Sequence, residues 1–213
     1  MKIGIIGSGI VGQVLASGFL QEGFDVMLGT RHITKKEVLQ WKDENPSGDV
    51  GDFAITAKFG DILVLAIAGE VVQEVITTAG IENFAGKIVI DATNPIDRSK
   101  PPVNGVLSFF TTNNESLLER IQALLPSSLI VKAFNSVGNG VMYKPGFPET
   151  PSMFICGNDD KAKKLVTDIL ASFGWNAVDM GKSEAARAIE PLCMLLCIPG
   201  FLKNEWEHAL KLF

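Results

Sequence analysis

The chain has 213 residues, a formal charge of −5 at pH 7 and a hydrophobic fraction of 46%. This length suits one domain of ordinary to large size, and the composition suits a well-packed soluble enzyme domain. The net negative charge argues against general binding to nucleic acids or to anionic membrane surfaces. A basic cluster on such a chain therefore favours a small anionic ligand.

The first predicted strand and helix meet at a glycine-rich turn. An apolar run at residues 2–6 leads directly into Gly7-Ser8-Gly9-Ile10-Val11-Gly12. The pattern G-x-G-x-x-G between a strand and a helix predicts a dinucleotide-binding unit. In such a turn Gly7 permits the tight bend, Gly9 lets the backbone approach a pyrophosphate, and Gly12 lets the helix lie close to the sheet. The N-terminus of the helix then offers N–H groups to the phosphates.

The end of the second strand selects the dinucleotide. An NAD site usually carries Asp or Glu about 20 residues beyond the fingerprint, on a ribose hydroxyl. Here residues 25–28 form an apolar strand that is followed by Gly29, Thr30, Arg31 and His32, with Lys35 and Lys36 next. A hydroxyl, a guanidinium and ammonium groups suit the 2′-phosphate of NADP(H). The alternative is a solvated basic loop that starts the next helix.

Strands and helices alternate along the rest of the chain. Further strands are predicted at residues 61–67, 87–92, 129–134, 153–157 and 177–180, and helices at 71–79, 116–125 and 160–173. From residue 184 we predict a helix that breaks near Pro199-Gly200 and a second short helix to Phe213. The alternation predicts a doubly wound, mostly parallel α/β Rossmann sheet. Residues 1–181 would form the NADP-binding domain, and 182–213 would be C-terminal helices packed on it.

Ligands of open α/β sheets bind outside the carboxyl ends of the strands. The residues just after three central strands begin with Ala68, with Asn94 in Thr93-Asn94-Pro95-Ile96, and with Asn135 in Asn135-Ser136-Val137. An amide offers both a donor and an acceptor to a nicotinamide carboxamide or to ribose hydroxyls. We therefore expect Asn94 and Asn135 to converge as positioning residues, although ordinary turn chemistry would equally explain Asn94.

The longest irregular stretch covers residues 95–114, and a loop of this length inside a compact domain is usually functional or mobile. Loop residues here and further along the chain are expected to form the far wall of a ligand cleft, or else to be simple loop anchors. They are Phe109, Phe110, Met142, Tyr143 and Phe147.

Several segments together resemble the coenzyme F420-dependent NADP oxidoreductases. The matching segments are 3–12, 29–31, 91–95, 131–136, 155–160, 178–181 and 190–192, so the resemblance covers almost the whole chain. It implies a Rossmann protein that passes hydride between NADP(H) and a deazaflavin (F420), or a flavin such as FMN or FAD. By the same resemblance Ser8, Gly9, Ile10 and Val11 would hold the pyrophosphate, Thr30, Arg31 and Lys35 the 2′-phosphate, and Ala68 and Asn135 would lie near the nicotinamide. Archaeal members carry Pro-Trp-Glu-His where this sequence has Ala68-Gly69-Glu70-Val71. The missing aromatic residue and histidine bear on the identity of the second cofactor, the deazaflavin or flavin, and not on NADP(H).

Two other functions stay open. One is an NADPH-dependent reductase of a small imine or carbonyl, like the pyrroline-carboxylate reductases, although only about thirty residues follow the last predicted strand and that is thin for their helical domain. The other is a non-catalytic NADP(H)-binding protein. The only histidines, His32 and His208, suit no catalytic triad. We therefore expect no catalytic side chain, because hydride transfer between two ring cofactors needs only their orientation.

The C-terminal region predicts assembly and location. Residues 191–198 are apolar nearly all round, which indicates a helix that is buried on more than one side, so we expect a two-fold homodimer built around it. The alternative is that the 95–114 loop covers this helix within the same chain. The apolar run 191–202 is too short to span a bilayer, and the N-terminal residues do not form a targeting signal.

The three cysteines, Cys156, Cys193 and Cys197, lack the spacing of a disulfide framework, and no His or acid accompanies the last two. We expect apolar buried thiols rather than metal ligands. The cytoplasm is then the expected compartment, with a small-molecule cofactor as substrate and with no metal, membrane or nucleic-acid partner.

Overall fold

An eight-stranded sheet forms the centre of the molecule in the computed structural model, which describes residues 1–213. Its strands are β1 (Lys2–Ile6), β2 (Asp25–Gly29), β3 (Asp49–Gly51), β4 (Ile62–Leu65), β5 (Ile88–Asp91), β6 (Leu129–Lys132), β7 (Ser152–Gly157) and β8 (Asn176–Asp179). The spatial order is β3-β2-β1-β4-β5-β6-β7-β8, and every pair is parallel except the antiparallel β6–β7. This order confirms the doubly wound, mostly parallel Rossmann fold.

Helices cover both faces of the sheet. They are α1 (Ile10–Gln21), α2 (Lys36–Glu44), α3 (Phe53–Phe59), α4 (Val72–Ala79), α5 (Leu117–Leu124), α6 (Asp160–Ser172) and α7 (Ala186–Lys203). One core packs α1 and α6 against one face, and a second packs α3, α4 and α5 against the other. Strand β4 shows why the sequence is apolar throughout: Ile62 and Val64 enter the first core, and Leu63 and Leu65 the second.

The sequence patterns gave no bounds for α2 and missed β3 and α3 entirely. Strand β3 has only three residues, Asp49–Gly51, and no apolar run distinguishes it from a loop. Helix α3 has seven residues, too few for a clear helical period. Its start is nevertheless marked in the sequence, because the Asp52 side chain accepts a hydrogen bond of 2.7 Å from the Ile55 N–H and so caps the helix.

Helix α7 runs without a break from Ala186 to Lys203 and includes both Pro191 and Pro199. The predicted break near Pro199-Gly200 and the second helix to Phe213 are therefore wrong. Gly200 does not end the helix. The Trp206 ring packs against it, and a Cβ at this position would lie 2.3 Å from the ring. The helix ends at Asn204, whose φ of 58° is left-handed.

Residues 204–213 have no regular secondary structure and return along the molecule as a tail. The Ser152 N–H donates to the Leu210 carbonyl at 2.8 Å, and the Leu212 N–H donates to Ser152 Oγ at 3.0 Å. These bonds attach the tail to the first residue of β7.

The helical stretch Ser183–Lys203 has 21 residues and a mean hydropathy of 1.5 in its most apolar part, of which 33% is buried inside the molecule. By length and composition alone it could cross a membrane, so the expectation that this region is too short is wrong. The test is weak evidence for a membrane span, because core helices also pass it.

The irregular segment after β5 is an ordered arm, which we define as residues 95–110. Antiparallel bridges join Ile96 to Phe109 and Val103 to Val106, so the arm is a distorted hairpin. At its tip Gly105 lies against α7, where an added Cβ would come within 3.1 Å of Leu202. The arm therefore connects the end of β5 to the C-terminal helix.

Candidate functional site

A first cavity of about 410 Å³ opens at the carboxyl ends of β1, β2 and β4. Eight of the predicted site residues line it: Gly7, Ser8, Gly9, Thr30, Arg31, His32, Lys35 and Ala68. Ser8 Oγ donates to Thr30 Oγ1 at 2.9 Å, and the His32 N–H donates to the same oxygen at 3.3 Å. These bonds hold the glycine turn and the end of β2 in one fixed arrangement.

The three glycines of the turn meet three different demands. Gly7 has a φ of +130°, which L side chains rarely adopt. A Cβ on Gly12 would lie 1.9 Å from the Gly7 carbonyl oxygen, so only glycine lets α1 approach the sheet this closely. A Cβ on Gly9 would meet nothing within 4 Å, which leaves its backbone open to a ligand at the N-terminus of α1.

The cationic side chains of the first cavity differ in their partners. Arg31 Nη2 lies 3.0 Å from Glu74 Oε1, and 49% of the Arg31 side chain is exposed. Lys35 Nζ lies 3.7 Å from Glu37. Arg98, from the arm, lines the same cavity and forms no ion pair. Sequence reasoning missed Arg98, because it lies in an irregular segment where no motif marks it.

A second cavity of about 240 Å³ lies at the carboxyl ends of β5 and β6, beneath α7 and the tail. It brings together three of the predicted residues, Val11, Asn94 and Asn135. Asn135 Nδ2 donates to Asn94 Oδ1 at 3.1 Å, and Asn94 Nδ2 donates to the Asn135 carbonyl at 2.8 Å. The expected convergence of the two asparagines is therefore present, and two reciprocal bonds fix it.

The amide oxygen of Asn135 lacks a partner. The residue is 3% exposed, and Oδ1 is buried without any hydrogen bond. The amide cannot turn over freely, because Nδ2 also donates to the Ile189 carbonyl at 3.2 Å. A buried acceptor left unpaired costs about 1–3 kcal/mol, so this oxygen favours a ligand that brings an N–H donor.

The backbone just before Asn135 is strained. Phe134 has a φ of 62°, which is unusual for a bulky residue, and it is fully buried. Such a conformation costs on the order of 1–3 kcal/mol and persists only where the surroundings hold it. The Phe134 ring packs against Phe173 with centroids 5.6 Å apart, which helps to hold it. This turn of the chain sets the direction in which Asn135 leaves β6.

A buried trio of charges supports the two strand ends. Lys132 Nζ lies 2.8 Å from each of three oxygens, namely Asp91 Oδ2, Glu190 Oε1 and the Thr93 carbonyl. Burial alone would lower the pKa of Lys132, but the charges of Asp91 and Glu190 outweigh it and raise the pKa above its usual value. Asp91 and Lys132 each stand three positions before one of the two asparagines, so the trio anchors both.

Glu190 joins this trio to two helices. It belongs to α7, and its carboxylate accepts the N–H groups of Leu117 and Leu118 at 3.0 Å each. These are otherwise unpaired donors at the start of α5. Nothing in the local sequence reveals a trio whose members lie 41 and 58 positions apart.

Two of the cysteines, Cys193 and Cys197, line the second cavity one helical turn apart. A hydrogen bond from Cys193 lowers the pKa of Cys197, and the same bond, together with burial, raises the pKa of Cys193. Burial raises the pKa of Cys156 to about 12. The prediction of buried thiols is correct for Cys156 and Cys193, whereas Cys197 is only partly buried.

The apolar loop residues do not form one wall, so the cleft-wall interpretation is wrong and the alternative of loop anchors is the better description. Met142 lines the second cavity, whereas Phe110 packs with the core on the opposite face of the sheet. Tyr143 stacks edge-on against Phe173, and its hydroxyl donates to Glu22 at 2.7 Å. Phe147 lies beside the C-terminal tail. Met142, Tyr143 and Phe147 belong to the same connection between β6 and β7, yet their side chains contact different parts of the molecule.

The second cavity has a wall that the sequence did not indicate. Trp206 and His208 of the tail line it, and His208 Nε2 lies 2.6 Å from the Leu196 carbonyl. Both positions belong to the segment that was predicted as a helix. A tail that folds back through backbone bonds to β7 carries no local signal, so only the tertiary structure brings these rings to the cavity.

Comparison with known proteins places this geometry in a family. Residues 2–95 match the family model described as NADP oxidoreductase coenzyme F420-dependent. A crystal structure from Arthrobacter sp. FB24, provisionally described as an F420-dependent NADP reductase, is 30% identical with a TM-score of 0.93, covering 100% of this chain and 99% of that one.

Two curated relatives are longer than this chain. The F420-dependent NADP reductase of Methanocaldococcus jannaschii is 32% identical over 66% of this chain and 62% of its own length. Metalloreductase STEAP3 of Rattus norvegicus is 25% identical over 97% of this chain, which corresponds to 38% of that protein. The full-length structural match decides the assignment: the chain belongs to the coenzyme F420-dependent NADP oxidoreductase family.

Proposed function

We propose that this protein transfers hydride between NADP(H) and a deazaflavin of the F420 type, or a flavin such as FMN or FAD. The observation that carries the proposal is Asn135, a residue that lines the second cavity and whose buried Oδ1 has no hydrogen-bond partner. A nicotinamide carboxamide brings an N–H donor, which is the group that this oxygen lacks. Family membership supports both the dinucleotide and the ring acceptor.

The two cavities fit the two ends of one dinucleotide. Gly9 lines the first cavity and Val11 the second, so the N-terminus of α1 lies between them. A dinucleotide that crosses this N-terminus places its pyrophosphate on the free N–H groups there. Its adenosine end would then lie beside Arg31 and its nicotinamide beside Asn135.

The residue roles follow from this orientation. Thr30, Arg31, His32 and Lys35 would bind the 2′-phosphate, and the turn from Gly7 to Gly12 the pyrophosphate, while Asn94 and Asn135 would position the nicotinamide and its ribose. Ala68 lines the first cavity and not the second, so we assign it to the dinucleotide without placing it at the nicotinamide.

The second cavity would hold the ring that exchanges hydride. When bound, the nicotinamide supplies the hydride chemistry, and the protein supplies orientation and a dry surface. Met142, Leu196 and Trp206 give the cavity apolar walls, and the two asparagines give it a polar floor. This division of surfaces suits a flat ring with one polar edge.

The test is NADPH oxidation with F420, FMN, FAD and pyrroline-5-carboxylate, each supplied alone. We expect turnover with F420 or with a flavin, and faster turnover with NADPH than with NADH. Reduction of pyrroline-5-carboxylate alone would contradict the proposal in favour of an imine reductase. NADPH binding without turnover of any acceptor would instead favour a binding protein.

Arg31→Ala tests the assignment of the dinucleotide. Hydrogen bonds to charged groups contribute about 1.5–3 kcal/mol, and releasing the exposed pair with Glu74 offsets at most about 1 kcal/mol of this. NADPH binding should therefore weaken by roughly 0.5–3 kcal/mol, while NADH binding stays nearly unchanged in titration calorimetry. Equal losses for both nucleotides would show that Arg31 does not read the 2′-phosphate.

We also propose that residues 182–213 are the assembly segment of a single domain and mediate a two-fold homodimer in the cytoplasm. Leu195, Phe201 and Leu202 of α7 are 54%, 47% and 59% exposed, although the tip of the arm contacts the same helix. A patch of this kind favours a second copy. Sedimentation should give a dimer for the wild type and a monomer for Leu195→Glu. A wild type that sediments as a monomer would contradict the proposed homodimer.

A further inference from the structure

The arm reaches the first cavity through a single side chain, Arg98. This residue lines the same cavity as the glycine turn and the basic end of β2. It is exposed and forms no ion pair, whereas Arg31 is paired with Glu74 at 3.0 Å and Lys100 with Asp97 at 2.8 Å. An unpaired guanidinium at a cavity that is already rich in N–H donors favours an anionic ligand.

The backbone that carries Arg98 is fixed at several points. The Arg98 N–H donates to Glu70 Oε1 at 2.8 Å, and the Asp97 N–H donates to the Ser108 carbonyl at 2.8 Å. The bridge between Ile96 and Phe109 closes the base of the arm. The guanidinium is therefore delivered by an ordered hairpin, and only its side-chain rotamers need to be restricted when a ligand binds.

Arg31 and Arg98 come to the cavity from opposite sides. Arg31 follows β2, and Arg98 follows β5, while β1 and β4 lie between these strands in the sheet. The glycine turn leaves β1, so it lies between the two guanidinium groups. The position after β2 is where a Rossmann site reads the ribose 2′ substituent. The phosphate nearest to the β5 side is instead the pyrophosphate on the turn.

Two acids near the start of α4 hold both cationic residues. Glu70 accepts the backbone N–H of Arg98, and Glu74, four positions later, pairs with the side chain of Arg31. The two acids thus bind different groups. Glu74 forms an ion pair with the guanidinium of Arg31, whereas Glu70 accepts only the backbone N–H of Arg98 and leaves its guanidinium unpaired. This asymmetry separates the roles of the two arginines.

We propose that Arg98 is a second arginine of the nucleotide site and binds the pyrophosphate that NADPH and NADH share. Arg31 would distinguish the two nucleotides by binding the 2′-phosphate. The proposal rests on the dinucleotide orientation given under the proposed function. It also gives the arm a role, because the ligand would bridge the glycine turn to the segment that contacts α7.

The test is calorimetric titration of Arg98→Ala with NADPH and with NADH. We expect both dissociation constants to rise by roughly tenfold, the low end for a hydrogen bond to a charged group, because the side chain stays exposed. Lys100→Ala is the matched control on the same arm, and it should bind both nucleotides as the wild type does. Arg31→Ala should lose affinity for NADPH alone.

Each outcome separates this proposal from the one on which it rests. Unchanged binding in Arg98→Ala, with a selective loss in Arg31→Ala, would overturn the role of Arg98 and leave the dinucleotide site intact. A loss for NADPH alone in Arg98→Ala would assign Arg98 to the 2′-phosphate and overturn the pyrophosphate assignment. A wild type that binds neither nucleotide would remove the proposed function itself. Melting curves should show that all variants stay folded, since the Arg98 side chain makes no internal hydrogen bond.

Discussion

Replacing Lys132 with Met should destabilise the protein by about 3–5 kcal/mol, because it leaves two buried carboxylates without their cation. The side chains of Lys132, Asp91 and Glu190 are 0%, 0% and 2% exposed, so water cannot replace the lost ammonium. Glu190 keeps two backbone donors, and Asp91 keeps the N–H and hydroxyl of Thr93, which favours the lower half of the range. For a chain of this length each kcal/mol shifts Tm by about 2–4 °C, so a loss of about 3–4 kcal/mol should lower Tm by about 6–16 °C.

The assay is thermal unfolding, with Lys164→Met as the matched control. Lys164 also pairs with an acid, Asp168 at 2.9 Å, but the two side chains are 74% and 62% exposed. Such a surface pair contributes at most about 0.5 kcal/mol, so the control should melt within about 2 °C of the wild type. Equal shifts for Lys132→Met and Lys164→Met would refute the reasoning, since the large loss is expected only where the carboxylates left behind are buried.

The effect should also have a defined pH dependence. The pKa of Lys132 is raised in the folded protein, so the charged form is favoured by folding. Its contribution is then complete below the ordinary lysine pKa of about 10.4 and is lost only as the pH rises through the higher folded value. The difference in Tm between wild type and Lys132→Met should stay constant between about pH 7 and pH 9. A difference that shrinks across this window would contradict the assignment.

Three further predictions concern the cavities. Gly12→Ala should lower Tm and abolish NADPH binding, because its Cβ would lie 1.9 Å from a carbonyl oxygen, whereas Gly9→Ala has open space and should melt normally while losing NADPH affinity; equal melting of the two variants would contradict this. Because its pKa is lowered, Cys197 should react with iodoacetamide at a lower pH than an ordinary thiol, and Cys193→Ala should move that profile upwards, as followed by mass spectrometry. Asn135→Ala should reduce turnover but leave the binding of adenosine 2′,5′-bisphosphate unchanged, and weaker binding of this fragment would place Asn135 outside the nicotinamide half.

Local sequence patterns were sufficient for the parts of the fold that local forces determine. The glycine turn, the buried strands and the amphipathic helices each carry their signal within about 6–15 residues, through backbone freedom or apolar periodicity. The convergence of Asn94 and Asn135 was also predictable, because parallel strands end at one edge of the sheet. The roles of these residues in cofactor binding, and the homodimer, stay predictions.

The parts that were missed depend on contacts between distant residues. Helix α7 continues past Pro199, and Trp206 of the tail packs against Gly200, a contact that nothing in the local sequence indicates. Arg98 reaches its cavity only through the hairpin geometry of the arm. The trio around Lys132 needs three strand and helix ends to meet. In each case the missing information is the tertiary packing, which periodicity does not contain.

The capping of α5 by Glu190 has a consequence for the order in which the chain can fold. The N–H groups of Leu117 and Leu118, at the start of α5, bind the carboxylate of Glu190, which is synthesised 73 and 72 positions later. Until then Lys132 lacks one of its two acids, and the N–H groups of Leu117 and Leu118 lack their acceptor, although the local capping box of Ser116 and Glu119 can already form. Nascent chains arrested before residue 190 should therefore stay open to proteases and dependent on chaperones, and chains arrested well beyond residue 203 should close. Closure of this domain during synthesis would then depend on the arrival of α7.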